Sequence, residues 1–171
     1  IMVYLRADRP DANGHNMAIM RQCIADFAKE DLLLVTEFLT YPLPGEDAAA
    51  YKAKFPTLIE GGTRMSLEAG AKVLKLPYPG TADSCARITT LCGAVPWAVL
   101  SAGVDHRTFL GQLEIAMANG ASGVIAGRAL WKDCLSLDRA KQRDMLTNKA
   151  LPRLRQIQEI LKRYPRRAEP V

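Results

Sequence analysis

Five apolar runs recur along the chain, separated by stretches whose apolar residues fall three or four positions apart. The runs are "IMVYLRA" (1 to 7), "LLLVTEFLTY" (32 to 41), "KVLKLPY" (72 to 78), "WAVLSAGV" (97 to 104) and "SGVIAGRAL" (122 to 130). They are apolar at nearly every position, which predicts parallel strands buried on both faces by helices. Between the first two, "HNMAIMRQCIADFAKED" sets Met17, Met20, Ile24 and Phe27 at helical spacing, with Asn16 as the expected cap. "DHRTFLGQLEIAMANGA" sets Phe109, Leu113, Ile115 and Ala116 on one face and stops at Asn119-Gly120. After the second strand, "TYPLPGEDAAAYKAKFP" reads as a Pro- and Gly-punctuated connection able to cover a site. The last stretch, "LDRAKQRDMLTNKALPRLRQIQEILKRY", predicts two helices broken at Pro152, with Leu151, Leu154, Ile157, Ile160 and Leu161 as an apolar stripe.

Repeated strand-helix units imply an α/β fold with a parallel sheet, in a single domain over 1 to 171 with a flexible tail from 164. Lys75, Ser101 and Gly127 are evenly spaced, 26 residues apart, so the last two units are regular. Five strands do not close a parallel barrel of eight, which leaves part of a barrel or an open doubly wound sheet. The open class usually carries a Gly-rich turn after its first strand, and "RADRPDANGHN" has none. The glycines stand instead in "SAGV" and "AGRA", after the last two strands, where barrel enzymes hold a phosphate.

Composition narrows the function classes. The hydrophobic content is 49% and no run of eighteen apolar residues occurs, which argues for a globular core and against a membrane span. The first residues lack the charged-then-apolar pattern of an export signal, so a cytoplasmic location is the expectation. The net charge of +5 owes much to Lys162, Arg163, Arg166 and Arg167, a solvated helix end and tail, so no nucleic-acid partner is expected. Cys23, Cys85, Cys92 and Cys134 have neither metal-site spacing nor the density of a disulfide scaffold and read as reduced, mostly core residues.

Lys75 lies inside a strand. One reading is a strand-end lysine that reaches the rim or pairs with an acid. The other is a Schiff-base nucleophile, because burial disfavours an ammonium and exposes a lone pair that attacks a carbonyl. Strand alternation puts Val73 and Lys75 on one face, so Lys75 can point into a barrel near its mouth, which favours the nucleophile. Glu37 stands in the neighbouring strand, either as the structural partner of Lys75 or as a general acid/base for a substrate hydroxyl. Ser101 and Gly103, with Gly127 and Arg128, offer a hydroxyl, backbone donors and a planar cation for an anion; alternatively the glycines serve tight turns and Arg128 pairs with Asp133. Arg6 is a candidate contact for a second anionic group, and Tyr78 a secondary candidate. His15 and His106 belong to no ligand cluster, so no metal or other cofactor is expected.

At "VLKLPYPG", "PWAVLSAGVDHRTFL", "AMANGASGVIAGRALW" and "LLLVTEFLTYP", the sequence resembles the class I aldolase family that contains tagatose-1,6-bisphosphate aldolase and sulfofructosephosphate aldolase. The resemblance implies a (β/α)8 TIM barrel, of which this chain supplies about strands four to eight. It assigns the Schiff base to Lys75, proton transfer to Glu37, and phosphate binding to Ser101, Gly103, Gly127 and Arg128. It also implies a sugar phosphate substrate and a homo-oligomer. The likeness is nearer to sulfofructosephosphate aldolases, through Pro96-Trp97 and the "GASG" and "AGRA" stretches. A lysine that the family carries at the start of the fourth strand would fall at or before Ile1, and Leu76-Pro77 replaces a more acidic continuation after the lysine.

The implied function is metal-independent cleavage of a ketose phosphate, such as sulfofructose 1-phosphate or tagatose 1,6-bisphosphate, to dihydroxyacetone phosphate and an aldehyde. The alternatives are a catalytically inactive barrel fragment, or a phosphate-binding isomerase or lyase whose lysine is structural.

Overall fold

In the computed structural model, which describes residues 1–164, the five apolar runs form one parallel sheet. Its strands are β1 (Met2–Tyr4), β2 (Val35–Leu39), β3 (Val73–Pro77), β4 (Trp97–Leu100) and β5 (Gly123–Ile125). They lie side by side in chain order, each returned to the same end by a helix. The crossovers are α1 (Gly14–Lys29), α2 (Ala48–Glu68), α3 (Ala82–Cys92) and α4 (His106–Ala118), and α5 (Arg128–Trp131), α6 (Arg139–Met145) and α7 (Leu151–Arg163) follow β5.

The strands are shorter than the apolar runs, and the sheet is covered by helices on one face. Val3, Phe38, Leu74, Leu76, Trp97 and Val99 point to that face and are buried. Each such side chain contributes on the order of 1.5–3 kcal/mol when fully removed from water. The expectation of burial on both faces fails here. Met2 and Tyr4 on the other face are each 49% exposed, and Glu37, Lys75, Ala98 and Gly123 are partly so. The runs look uniformly apolar because the second face also carries aliphatic residues, Val35, Leu39 and Val73 among them.

Close helix-sheet approach sets the covered face. A Cβ on Gly62 would stand 2.3 Å from the Phe38 ring, so only glycine lets α2 settle onto β2. Between α3, β4 and the end of α4, Trp97 Nε1 donates to Thr89 Oγ1 at 3.0 Å, and Thr89 Oγ1 donates to the Asn119 carbonyl at 2.7 Å. Cys85, Cys92 and Cys134 are buried and all four cysteines are free, as core thiols should be. Burial pushes Cys85 up to about 11 and Cys92 to about 12, which makes these thiols poor nucleophiles.

Several local expectations differ. Asn16 does not cap α1: its side chain donates to the Tyr4 carbonyl, while Asn13 precedes the helix and its side chain bonds the main chain at Arg6 and Arg9. Phe27 and Ile115 are exposed, so α1 buries Met17 and Met20, and α4 buries Phe109, Leu113, Ala116 and Met117. The connection after β2 ends at Asp47, whose carboxylate caps α2 at the Ala50 N–H, and the helix runs on through Pro56. Nor does Pro152 break the last helices. It sits in the first turn of α7, where its missing N–H costs little, and a π-helical turn at Leu146–Ala150 joins α6 to α7. Ile157 and Ile160 are buried, whereas Leu151 and Leu154 are exposed. The tail expected from 164 lies, beyond Tyr164, outside the described residues.

Candidate active site

The uncovered sheet face carries a row of residues in register across all five strands: Met2, Glu37, Lys75, Ala98 and Gly123. Small or flexible neighbours flank two charged side chains in the middle. Glu37 and Lys75 are direct partners on adjacent strands, and Lys75 Nζ donates to Glu37 Oε2 at 2.6 Å. Their side chains are 25% and 16% exposed for Lys75 and Glu37 respectively. The pair is therefore shielded by the sheet yet open from the uncovered face. Val73 lies beneath Lys75 on the same face, as strand alternation requires.

At the C-terminal ends of β4 and β5 stands a second constellation. Ser101 is buried and its carbonyl accepts from the Val104 N–H at 3.1 Å, closing a tight turn. Two successive residues of that turn, Ala102 (φ 46°) and Gly103 (φ 80°), are left-handed, which explains the glycine. Arg128 packs directly on it: a Cβ at Gly103 would lie 3.3 Å from Arg128 Cζ. Gly127 immediately precedes α5, and a Cβ there would meet nothing within 4 Å. Ser101, Gly103, Gly127 and Arg128 thus gather at one end of neighbouring strands. Ser101 is three residues past Ala98, the register partner of Lys75, so its backbone lies about 10 Å further along the sheet.

Arg128 does not pair with Asp133. That carboxylate binds Arg153 at 2.6 and 2.9 Å and Lys149 at 2.7 Å, and hydrogen bonds from Arg153 first, then Lys149, hold it well below the usual carboxylate range. Arg128 is exposed, and among the described residues no carboxylate stands within ion-pair distance of it. Lys132, which the sequence reading did not single out, donates from its ammonium to the Gly103 carbonyl. Its place four residues after Arg128 sets the two cations near each other, but no local signal points to the Gly103 carbonyl, 29 residues away.

Arg6 has a different task from the substrate contact expected of it. Its side chain is completely buried. Nε and Nη2 bond Asp8 at 2.6 and 3.1 Å, Nη1 and Nη2 bond Glu46 at 2.7 and 2.6 Å, and Nη1 also reaches the Tyr41 carbonyl at 2.5 Å. All five N–H directions are used. The Tyr51 ring covers the guanidinium at 5.5 Å. Arg6 thereby pins the connection after β2 to the end of β1, and its hydrogen bonds pull Glu46 down from 4.5 to about 2. Tyr78 packs partly buried against the core, and burial raises its phenol. His15 is exposed on α1, and His106 opens α4 with Nε2 2.8 Å from Gln156 Oε1.

A family model described as DeoC/LacD family aldolase matches residues 1–133. The chain belongs to that aldolase family. Among curated relatives, fructose-bisphosphate aldolase class 1 of Thermoproteus tenax is 32% identical over 120 residues, covering 67% of this chain and 43% of the relative. The enzyme of the same name from Halobacterium salinarum is 35% identical over 81 residues, covering 46% and 30%. The chain thus spans less than half the length of these relatives. Among solved structures, a Schiff base forming fructose-1,6-bisphosphate aldolase superposes with a TM-score of 0.62 at 25% identity, over 84% of this chain and 51% of that one. The fructose-bisphosphate aldolase of Slackia heliotrinireducens shares the fold, with a TM-score of 0.61 over 92% and 52% of the chains. The DeoC/LacD aldolase chain is thus part of a TIM-barrel wall, five parallel strands with helices outside. In a barrel the face opposite the helices is the interior, and Lys75 and Glu37 stand on that face.

Proposed function

We propose that this chain supplies the Schiff-base lysine, the proton-transfer carboxylate and an anion subsite of a class I aldolase that cleaves a ketose 1-phosphate. One observation carries the reading: Lys75 and Glu37 sit side by side in register on the uncovered face, 2.6 Å apart, with the anion constellation at the same sheet's C-terminal end.

The chemistry follows from these groups. The free amine of Lys75 attacks the C2 carbonyl, water leaves, and an iminium forms. Glu37 takes the proton of the C4 hydroxyl, the C3–C4 bond breaks, the aldehyde departs, and the bonding pair enters the iminium as an enamine. Protonation of the enamine at C3 and hydrolysis of the imine then release dihydroxyacetone phosphate and restore the amine. Ser101, Gly103, Gly127 and Arg128 hold the C1 phosphate and orient C2 against the amine, converting an encounter into an intramolecular attack.

Support for the ketose identity comes from two sides. Sequence likeness favours sulfofructose 1-phosphate or tagatose 1,6-bisphosphate, while the relatives above are named fructose-bisphosphate aldolases. All three substrates share the phosphorylated ketone end that these residues would recognise, so dihydroxyacetone phosphate is the probe. Borohydride reduction of the chain with dihydroxyacetone phosphate should leave a mass adduct on Lys75, absent in Lys75→Met. A folded sample without an adduct would return the lysine to a structural role. The three ketose phosphates, compared for aldehyde release, then rank the substrates.

A further inference from the structure

Gly103 is contacted from the same short segment by two cations. The Arg128 guanidinium fills the space a Cβ on Gly103 would meet at 3.3 Å, and the Lys132 ammonium binds the Gly103 carbonyl. These cations are one helical turn apart, a spacing at which like charges repel. Neither is neutralised among the described residues, because Asp133, the acid adjacent to Lys132, is occupied by Arg153 and Lys149. The turn they touch contains a left-handed non-glycine residue, Ala102, a conformation that persists only where neighbours impose it. Uncompensated positive charge is thus concentrated on a strained turn.

We infer that Lys132 is a second cation of the anion subsite, a specificity-determining residue that makes the subsite select a phosphorylated ketone over an uncharged one. This rests on the reading of the subsite given above. A bare carbonyl beside a bound phosphate presents its negative end to the anion. With the ammonium on the Gly103 carbonyl, that oxygen is neutralised, the turn is tied to the segment after α5, and the added charge favours a dianion. Arg128 contributes a directional fork and Lys132 a compact charge on the other side of the same residue.

The test is concentration-dependent trapping on Lys75 with dihydroxyacetone phosphate and with dihydroxyacetone, which lacks the phosphate. In Lys132→Met the half-saturating concentration should rise about tenfold for the phosphate ester and stay within about twofold for dihydroxyacetone; Lys132→Arg should restore most of the difference. Unchanged trapping of the phosphate ester in Lys132→Met overturns the inference. So does an equal loss for both ketones, which marks Lys132 as a structural tie alone. Should the unsubstituted chain form no adduct at all, the aldolase reading falls and the subsite is tested by titrating inorganic phosphate against the Gly103 and Gly127 amide resonances. Saturable shifts that weaken about tenfold in Lys132→Met then sustain the inference without the aldolase. Equal or absent binding overturns it.

Discussion

Two cations of this sheet, Arg6 just past the end of β1 and Lys75 within β3, each meet a carboxylate within 2.7 Å, yet their surroundings differ. Arg6 is fully buried, bonded through every N–H, and stacked under Tyr51. Such a group has no capacity left for a ligand. Among the described residues Lys75 has one hydrogen-bonded partner, with a quarter of its side chain exposed and an approach from the uncovered face. The proposed Schiff base requires the Lys75 amine to exchange Glu37 for a carbonyl without dismantling the fold. Saturated hydrogen bonding makes Arg6 a structural strut, while the spare capacity of Lys75 is what its proposed reactivity requires.

The comparison is sharpest when each cation is changed. Lys75→Arg keeps a positive charge beside Glu37 but removes the nucleophilic amine. Adduct formation and ketose cleavage should vanish while the melting temperature stays within about 2 °C; a large loss of stability would make Lys75 a strut after all. Glu37→Gln should retain the dihydroxyacetone phosphate adduct and lower cleavage by roughly 10²- to 10⁴-fold, measured as aldehyde release. Full activity in that variant would move the proton-transfer role elsewhere. Arg128→Ala should raise the half-saturating concentration of dihydroxyacetone phosphate at least about tenfold with little effect on melting.

For Arg6 the expected signs reverse. Arg6→Met leaves Glu46 and Asp8 without their guanidinium and should lower the melting temperature by about 5–10 °C. Its effect on catalysis should come only through the loosened connection after β2. The same cluster sets an acid response. Glu46 is held at about 2, below its ordinary 4.5, chiefly by the hydrogen bonds from Arg6. Its contribution to stability is therefore complete above 4.5 and disappears as pH falls toward 2. Melting temperature followed over that window should decline less steeply in Glu46→Gln than in the parent chain. An identical slope would assign the acid response to other depressed carboxylates, Asp8 and Asp133 among them.

Legibility varied with how local each cause is. Strand positions, the Asn119-Gly120 stop and the "SAGV" and "AGRA" turns depend on side-chain pattern and on backbone freedom within a few residues, and they were readable in order. The contacts made by Arg6 and Lys132 were not. Arg6 sits near a strand end like a substrate contact, and only the return of Tyr41, Glu46 and Tyr51 to the end of β1 reveals the clamp. Lys132 reads as a solvated surface lysine until the β4 and β5 turns are adjacent. Helix boundaries failed where tertiary packing outweighed a local signal, as when α2 continued through Pro56 and α7 began across Pro152.

By itself the sequence determined the alternating strand-helix order, the facing of Lys75 and Glu37 on their strands, and the kinship of its motifs to class I aldolases, because two- and 3.6-residue periodicities and glycine turns are properties of short segments. Only the tertiary structure decided which sheet face is open, that Glu37 and Lys75 stand in register, and which cations are saturated by carboxylates and which are not. Those depend on strand register and on residues far apart in the chain, and no local pattern encodes either.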